Sequence, residues 1–111
     1  MKIKTEIKEG IKFIKPEGPV LNITHKTRLQ DILALENEKS LAIDLSAIDY
    51  VDSTILGLFL HRAQAFNKAG GNFIIYGANS TIVGLAEMTR LTYFIKIHKN
   101  KKEVIDTFGK N

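Results

Sequence analysis

The sequence predicts an α/β fold: a mixed sheet of four or five strands with its helices mainly on one face. Three observations carry that prediction. Apolar and charged residues alternate over the first fifteen positions, two short apolar runs follow at LAIDL (41–45) and FIIY (73–76), and stretches with helical apolar spacing separate them. Strands divided by a tight turn pair antiparallel, whereas strands divided by helices pair in parallel through right-handed crossovers. A chain with both patterns builds a mixed sheet.

Taken in order, Ile3, Thr5 and Ile7 alternate with lysines, and Ile11, Phe13 and Lys15 resume the two-residue period after Glu9-Gly10. This reads as a hairpin, ended by Pro16, Gly18 and Pro19. His25 to Glu38 carries Leu29, Ile32, Leu33 and Leu35 at helical spacing, with Thr24 as the expected N-cap. Leu41 to Leu45 is a short buried strand, with Asp44 near its end, where a carboxylate reaches water or a backbone amide. Ile55 to Ala69 is the strongest helix: at about 100° per residue, Leu56, Phe59, Leu60, Ala63 and Phe66 share one side, the expected core face. Gly70-Gly71 supplies a left-handed stop. Phe73 to Tyr76 reads as a second buried strand, and Ser80 caps a helix through Val83, Leu85, Ala86 and Met88. Tyr93 to Ile97 reads as an edge strand, and a last helix starts near Lys101.

At 111 residues, 44% apolar and 25% charged, the chain suits one globular domain over residues 1–111, free of repeats, linkers and low-complexity tracts. There is no cysteine, hence no disulfide framework, thiolate metal site or cysteine nucleophile, which fits the cytoplasm. The first residues lack the apolar run of a signal peptide, and no stretch reaches the roughly 18 apolar residues of a membrane span. The net charge is +4, with a local basic run at Lys96 to Lys102. These charges are scattered rather than gathered into a stripe, so direct nucleic-acid binding is not expected.

Most catalytic constellations are missing. His25, His61 and His98 have no paired ligand spacing, so no metal is expected. There is no G-x-S-x-G elbow and no phosphate-binding glycine loop, and Gly70-Gly71 ends a helix rather than opening one. Asp44, Asp49 and Asp52 are each accounted for by turn chemistry. What stands out is Asp52-Ser53-Thr54, an acid and two hydroxyls at the foot of the strongest helix. Capping alone is one reading, since an Asp or Ser there satisfies orphan amides.

A second reading comes from the arrangement of several short pieces. A strand ending in Asp44-Leu45-Ser46 leads to Asp52-Ser53-Thr54, then to Leu56-Gly57 on a helix, a Gly-Gly helix end, a strand, and a helix closing before an Ile-rich strand. In that order, from about residue 41 to 97, the chain resembles the STAS family of anti-sigma factor antagonists. The resemblance implies a non-enzymatic switch without a cofactor. A serine kinase anti-sigma factor, using its own ATP, would phosphorylate the serine directly after the Asp, here Ser53, with Thr54 as the alternative. Asp52, Asn22 and Asp44 would support the phosphosite. Two departures accompany the match: Ile55 stands where the family commonly has Gly, and Asn22 where an acid is often found.

The helix itself favours such a switch, because its N-terminal amides and dipole face an added phosphate of about −1.5 to −2 charge. Beside it, Ile55, Leu58, His61, Arg62 and Ala65 form the expected partner-binding patch. The protein would be a monomer when free and would not insert into membranes. The alternative is a STAS-type structural subunit of a lipid-transport or signalling scaffold complex, in which Ser53 is not phosphorylated.

Overall fold

Glu9 and Gly10 both adopt left-handed backbone angles, φ 54° and 76°. Such a pair matches the twist of two antiparallel strands, and it joins β1 (Lys2–Lys8) to β2 (Ile11–Glu17). The computed structural model describes residues 1–34 and 39–109. Within them, β2 pairs in parallel with β4 (Ser40–Asp44), β4 with β6 (Asn72–Tyr76), and β6 with the short β7 (Ile97–His98). The main sheet therefore has five strands in the order β1-β2-β4-β6-β7, mixed through its antiparallel first pair. A separate two-stranded parallel pair joins β3 (Val20–Leu21) to β5 (Tyr50–Val51).

Three helices, α1 (Lys26–Ile32), α2 (Ser53–Lys68) and α3 (Ser80–Met88), supply the larger core. It gathers Leu29 and Leu33, the inner side of α2, Ile82 and Ala86 against Ile14, Ile43, Phe73 and Ile75 of the sheet. Phe73 lies 6.0 Å from Phe59 and 5.8 Å from Phe66, ring centre to ring centre. Such separations suit tilted aromatic packing. On the opposite face α4 (Lys101–Phe108) stands alone and closes a smaller cluster of Ile11, Phe13, Ala42, Ile74, Tyr76 and Val104. The expected mixed sheet with helices mainly on one face is thus present.

Several boundaries differ from the sequence expectation, each for a local reason. Strand β2 runs through Pro16, because its pairing with β4 stops at Ile14 and the missing N–H falls outside that ladder. The expected helix from His25 begins as a 3-10 turn over Ile23–His25, capped by Asn22 rather than Thr24, and α1 ends at Ile32. Leu35 and residues 36–38 of that expectation lie outside the described residues. Helix α3 is capped by Asn79, one residue before the expected Ser80, through a 2.9 Å bond from Ile82 N–H. Residues expected to form an edge strand from Tyr93 instead make a second 3-10 turn, Leu91–Tyr93, and only Ile97–His98 joins the sheet.

Helix α2 stops as foreseen. Gly71 N–H bonds Phe66 O at 2.8 Å and Gly70 N–H bonds Asn67 O at 3.1 Å, the two bonds of a Schellman end. Gly70 takes φ 75°, and a Cβ on Gly71 would collide with the Lys39 carbonyl. Among the described residues no helix is long and apolar enough to cross a membrane.

Candidate functional site

The short strands β3 and β5 matter because of where they deliver the chain. Asp49 N–H bonds Pro19 O at 2.7 Å, and Asp52 N–H bonds Leu21 O at 3.1 Å, so the segments leading to Asn22 and Asp52 finish side by side. A third loop joins them through Asn79, whose Nδ2 donates to Asp49 O at 2.9 Å. All three loops follow the carboxyl ends of sheet strands, the end at which open α/β sheets gather their ligand-facing loops.

Asp52 is the N-cap of α2, in extended conformation, and both its carboxylate oxygens are engaged. Oδ1 accepts from Ile55 N–H at 2.9 Å, closing the first turn of the helix, while Oδ2 accepts from Ile23 N–H at 3.0 Å across the gap to the neighbouring loop. One side chain therefore fixes two loops. Asn22 does the same locally: its Oδ1 accepts from Thr24 N–H at 3.0 Å, and its own N–H donates to His25 Nδ1 at 3.1 Å. Asn22 and Asp52, expected near one another, are thus brought together. Ser53 follows the cap and is exposed, and Thr54 beside it is half-buried. The first amides of a helix lack intrahelical partners, so Ser53 and Thr54 present N–H groups to an anion at this end, where the helix dipole is positive.

Asp44 lies elsewhere. Alternation along β4 places it with Ala42 on the α4 side of the sheet, and its Oδ1 accepts from Ser46 N–H at 2.8 Å. Its other partner is Tyr76: burial first, then the charge of Asp44 and the hydrogen bond to it, push the Tyr76 hydroxyl above the ordinary tyrosine range. Asp44 is therefore not among the groups that tie the Asn22 and Asp52 loops together. Its carboxylate accepts a turn amide on the α4 side of the sheet.

The expected partner patch is divided as well. Ile55 and Leu58 are core residues, 0% and 4% exposed, and not docking residues. The cause is that α2 packs against α1 as well as the sheet, which widens its buried arc beyond the face read from Leu56 and Leu60. Because Ile55 points inward, its branched side chain leaves the Ser53 hydroxyl open. His61 and Ala65 are exposed and lie together, and Arg62 is half-buried with its Nε enclosed. The structure also adds residues that sequence reasoning missed. Val20, Ile23 and Tyr50 are exposed apolar side chains, at 37%, 64% and 46%, on the segments tied to Asp52. Two-residue strands are too short for periodicity to reveal them.

Residues 2–104 match the STAS domain family. The chain belongs to the STAS domain family. This STAS domain resembles three solved structures of quite different description. The Thermotoga maritima protein TM1081, described as a candidate anti-sigma factor antagonist, shares 19% identity at a TM-score of 0.86, over 95% of this chain and 92% of that one. The Bacillus cell fate determinant SpoIIAA in its phosphorylated form shares 16% at 0.71, over 96% and 98%. A sulfate transporter family protein from Wolinella succinogenes shares 13% at 0.78, over 92% and 87%. At these identities the likeness establishes the fold alone.

Proposed function

We propose that this STAS domain is a cytoplasmic anti-sigma factor antagonist, without enzymatic activity of its own, switched by phosphorylation of Ser53. The observation that carries the reading is the exposed Ser53 hydroxyl at the start of α2, directly after an aspartate whose two oxygens hold two loops in place. The unphosphorylated protein, a monomer when free, binds a serine kinase anti-sigma factor and so releases a sigma factor for transcription. The kinase then transfers phosphate from its own ATP. The Ser53 Oγ–P bond forms, the bond to the ADP oxygen breaks, and the hydroxyl proton passes to a base on the kinase. Asp52 acts by position, because both of its oxygens already accept amide hydrogens.

Phosphate at this place gains the helix N-terminus and leaves the core untouched. It acts on the surface around it, where Val20, Ile23 and Tyr50 offer apolar contact. A dianion among them adds charge that a partner must desolvate. The test is incubation with the candidate kinase and Mg-ATP, followed by mass-spectrometric mapping. Phosphate on Ser53, and its loss in Ser53→Ala with binding retained, supports the reading; phosphate on Thr54 alone moves the site by one residue. The second reading, a structural subunit of a transport or scaffold complex, is favoured by the likeness to the Wolinella transporter family protein. A tight complex that never labels the peptide would select it.

A further inference from the structure

Strand β1 is the outer strand of the main sheet, so one of its edges has no neighbour, and all its residues but the half-buried Ile3 are exposed. An open edge is normally blocked by a proline, a bulge or repelling charge, because its free backbone groups template pairing. The segment KIKTEIK has no proline, and its register against β2 runs unbroken from Lys2 to Lys8, without a bulge. The turn decides which groups are free. Lys8 and Ile11 flank the two-residue Glu9-Gly10 turn and form a bonded pair; alternation then bonds Glu6, Lys4 and Lys2 to β2 and leaves the backbone groups of Ile3, Thr5 and Ile7 directed at the open edge. Pro16 agrees with this phase, for it stands opposite Ile3, at a pair that exchanges no bond.

This edge is complementary to itself. Laid antiparallel on a second copy about Thr5, it pairs Thr5 with Thr5, Ile3 with Ile7, and Lys4 with Glu6. The residues with free backbone groups meet one another, so the Thr5 and Ile pairs are the bonded ones. Lys4 and Glu6 fall at non-bonded pairs, where the Cα atoms approach to about 4.5 Å and opposite charges attract. A slip of two residues either way keeps the backbone bonds but sets Lys4 against Lys4 or Glu6 against Glu6, and like charges directly opposite destabilise. Only Lys2 against Lys8, at the two ends, stays unfavourable. Within one copy Lys4 lies 3.7 Å from Glu17 and Glu6 meets Lys101. Such exposed pairs hold their members weakly, so both side chains can turn to the second copy. Ile7 points the same way: it is 63% exposed and shares a face with Ile3, which packs against the larger core. Pairing sets the Ile7 of one copy beside the Ile3 of the other and covers it.

We infer that β1 is a self-pairing edge, which joins two copies of this chain across a two-fold axis through Thr5 into one continuous sheet. The contact is isologous and stops at two copies, because the far edge of the sheet, β7, is only two residues long. One strand edge buries less than the roughly 1,200 Å² of a stable complex. The chain is therefore a monomer when dilute and pairs where copies are concentrated, with a dissociation constant of about 0.1 to 1 mM. The surface is built by β1 alone and stands whether or not Ser53 is ever modified.

The test is a dilution series of the full chain from about 2 mM to about 0.02 mM, followed by sedimentation equilibrium and amide NMR. A monomer–dimer equilibrium is expected, with shifts concentrated at residues 2–8 and slowed exchange of the Ile3, Thr5 and Ile7 amides in the concentrated protein. Lys4→Glu and Glu6→Lys should each weaken self-association about fivefold or more, since each sets like charges opposite one another. An equimolar mixture of the two variants should recover it, and so should the double variant, because charges again meet their opposites. Both positions are exposed, and melting curves check that the variants fold. Should either fail to fold, Thr5→Pro, which an edge strand tolerates but which removes the donor at the axis, should abolish pairing. A chain that is monomeric at every concentration would overturn the proposal, as would shifts centred away from β1 or a mixture of variants that associates no better than either alone.

Discussion

The two faces of the sheet are built on different principles. Among the described residues, twenty buried side chains form the cluster under α1, α2 and α3, and six form the cluster under α4. The larger cluster holds almost no polar chemistry, and its loops carry the candidate switch. The smaller one contains Tyr76, whose hydroxyl is held protonated by burial and by the charge of Asp44, and beside it His98 Nδ1 meets Glu103 Oε1 at 2.8 Å. Most of the buried area and the proposed switch therefore share one face, and the other is a thin cover held partly by polar groups. Because burial scales with apolar area, disruption of the first face should outweigh equivalent disruption of the second.

The largest expected effect is at Phe59, fully buried against Phe73. Phe59→Ala should destabilise by about 3 to 5 kcal/mol in urea unfolding, against a typical domain stability of about 5 to 15 kcal/mol. A loss below about 1 kcal/mol would mean that this face collapses around the vacancy. On the α4 face, Val104 is also fully buried, and Val104→Ala should cost about 2 kcal/mol. If the two variants proved equal per atom removed, the contrast between the faces would be one of size only.

The sequence made the first face legible in outline and the second scarcely at all. Residues Leu56, Phe59 and Phe66, with Ile43 and Ile75, share the cluster as their spacing predicts. Leu58 was misplaced because a helical projection assumes one partner surface. On α2 it stands about 100° from Phe59, which is exposed on a helix touching only a sheet and buried on one that also meets α1. Asp52 was readable as a cap, since a carboxylate before an apolar helix has few other roles. Its second bond, to Ile23 twenty-nine positions earlier, depends on the two-residue strands β3 and β5 and has no sequence period. The surroundings of Asp44 were hidden for a related reason: strand alternation sets its face, but only the sheet order shows that this face belongs to α4.

Asp52→Ala sharpens the comparison at the loops. Loss of the cap and of the tie to Ile23 should cost about 1 to 2 kcal/mol together. Faster amide exchange is expected at residues 22–25 and in the first turn of α2. Asp52→Asn retains one carbonyl acceptor, so it should protect only one of these two places. On the opposite face, Tyr76→Phe should cost about 1 kcal/mol near neutral pH and change the alkaline limb. The folded state holds the Tyr76 proton above the range in which an unfolded tyrosine releases it, near about 10. Stability supplied by that proton is present below this range and lost as pH rises through it. Urea midpoints should fall on the alkaline side for the parent and fall less for Tyr76→Phe.

The smallest expected change in stability is at Ser53, and there the comparison meets function. A side chain that is exposed and follows the cap contributes little to either cluster. Ser53→Asp should alter stability by less than about 0.5 kcal/mol, with the helix dipole acting in its favour. If Ser53 is the switch, that substitution should nonetheless weaken kinase binding, through charge placed beside the apolar contacts of Val20, Ile23 and Tyr50. Ser53→Ala should bind as the unmodified protein does and accept no phosphate. A carboxylate has less charge and fewer acceptor oxygens than a phosphate, so the aspartate variant should bind more tightly than the phosphorylated protein and less tightly than the parent. Calorimetric titration of all four forms with the same kinase orders them directly. Identical affinities would separate Ser53 from partner choice and leave it a surface residue beside a cap, whereas unequal stabilities would show that the anion disturbs the fold, contrary to its position at the end of α2.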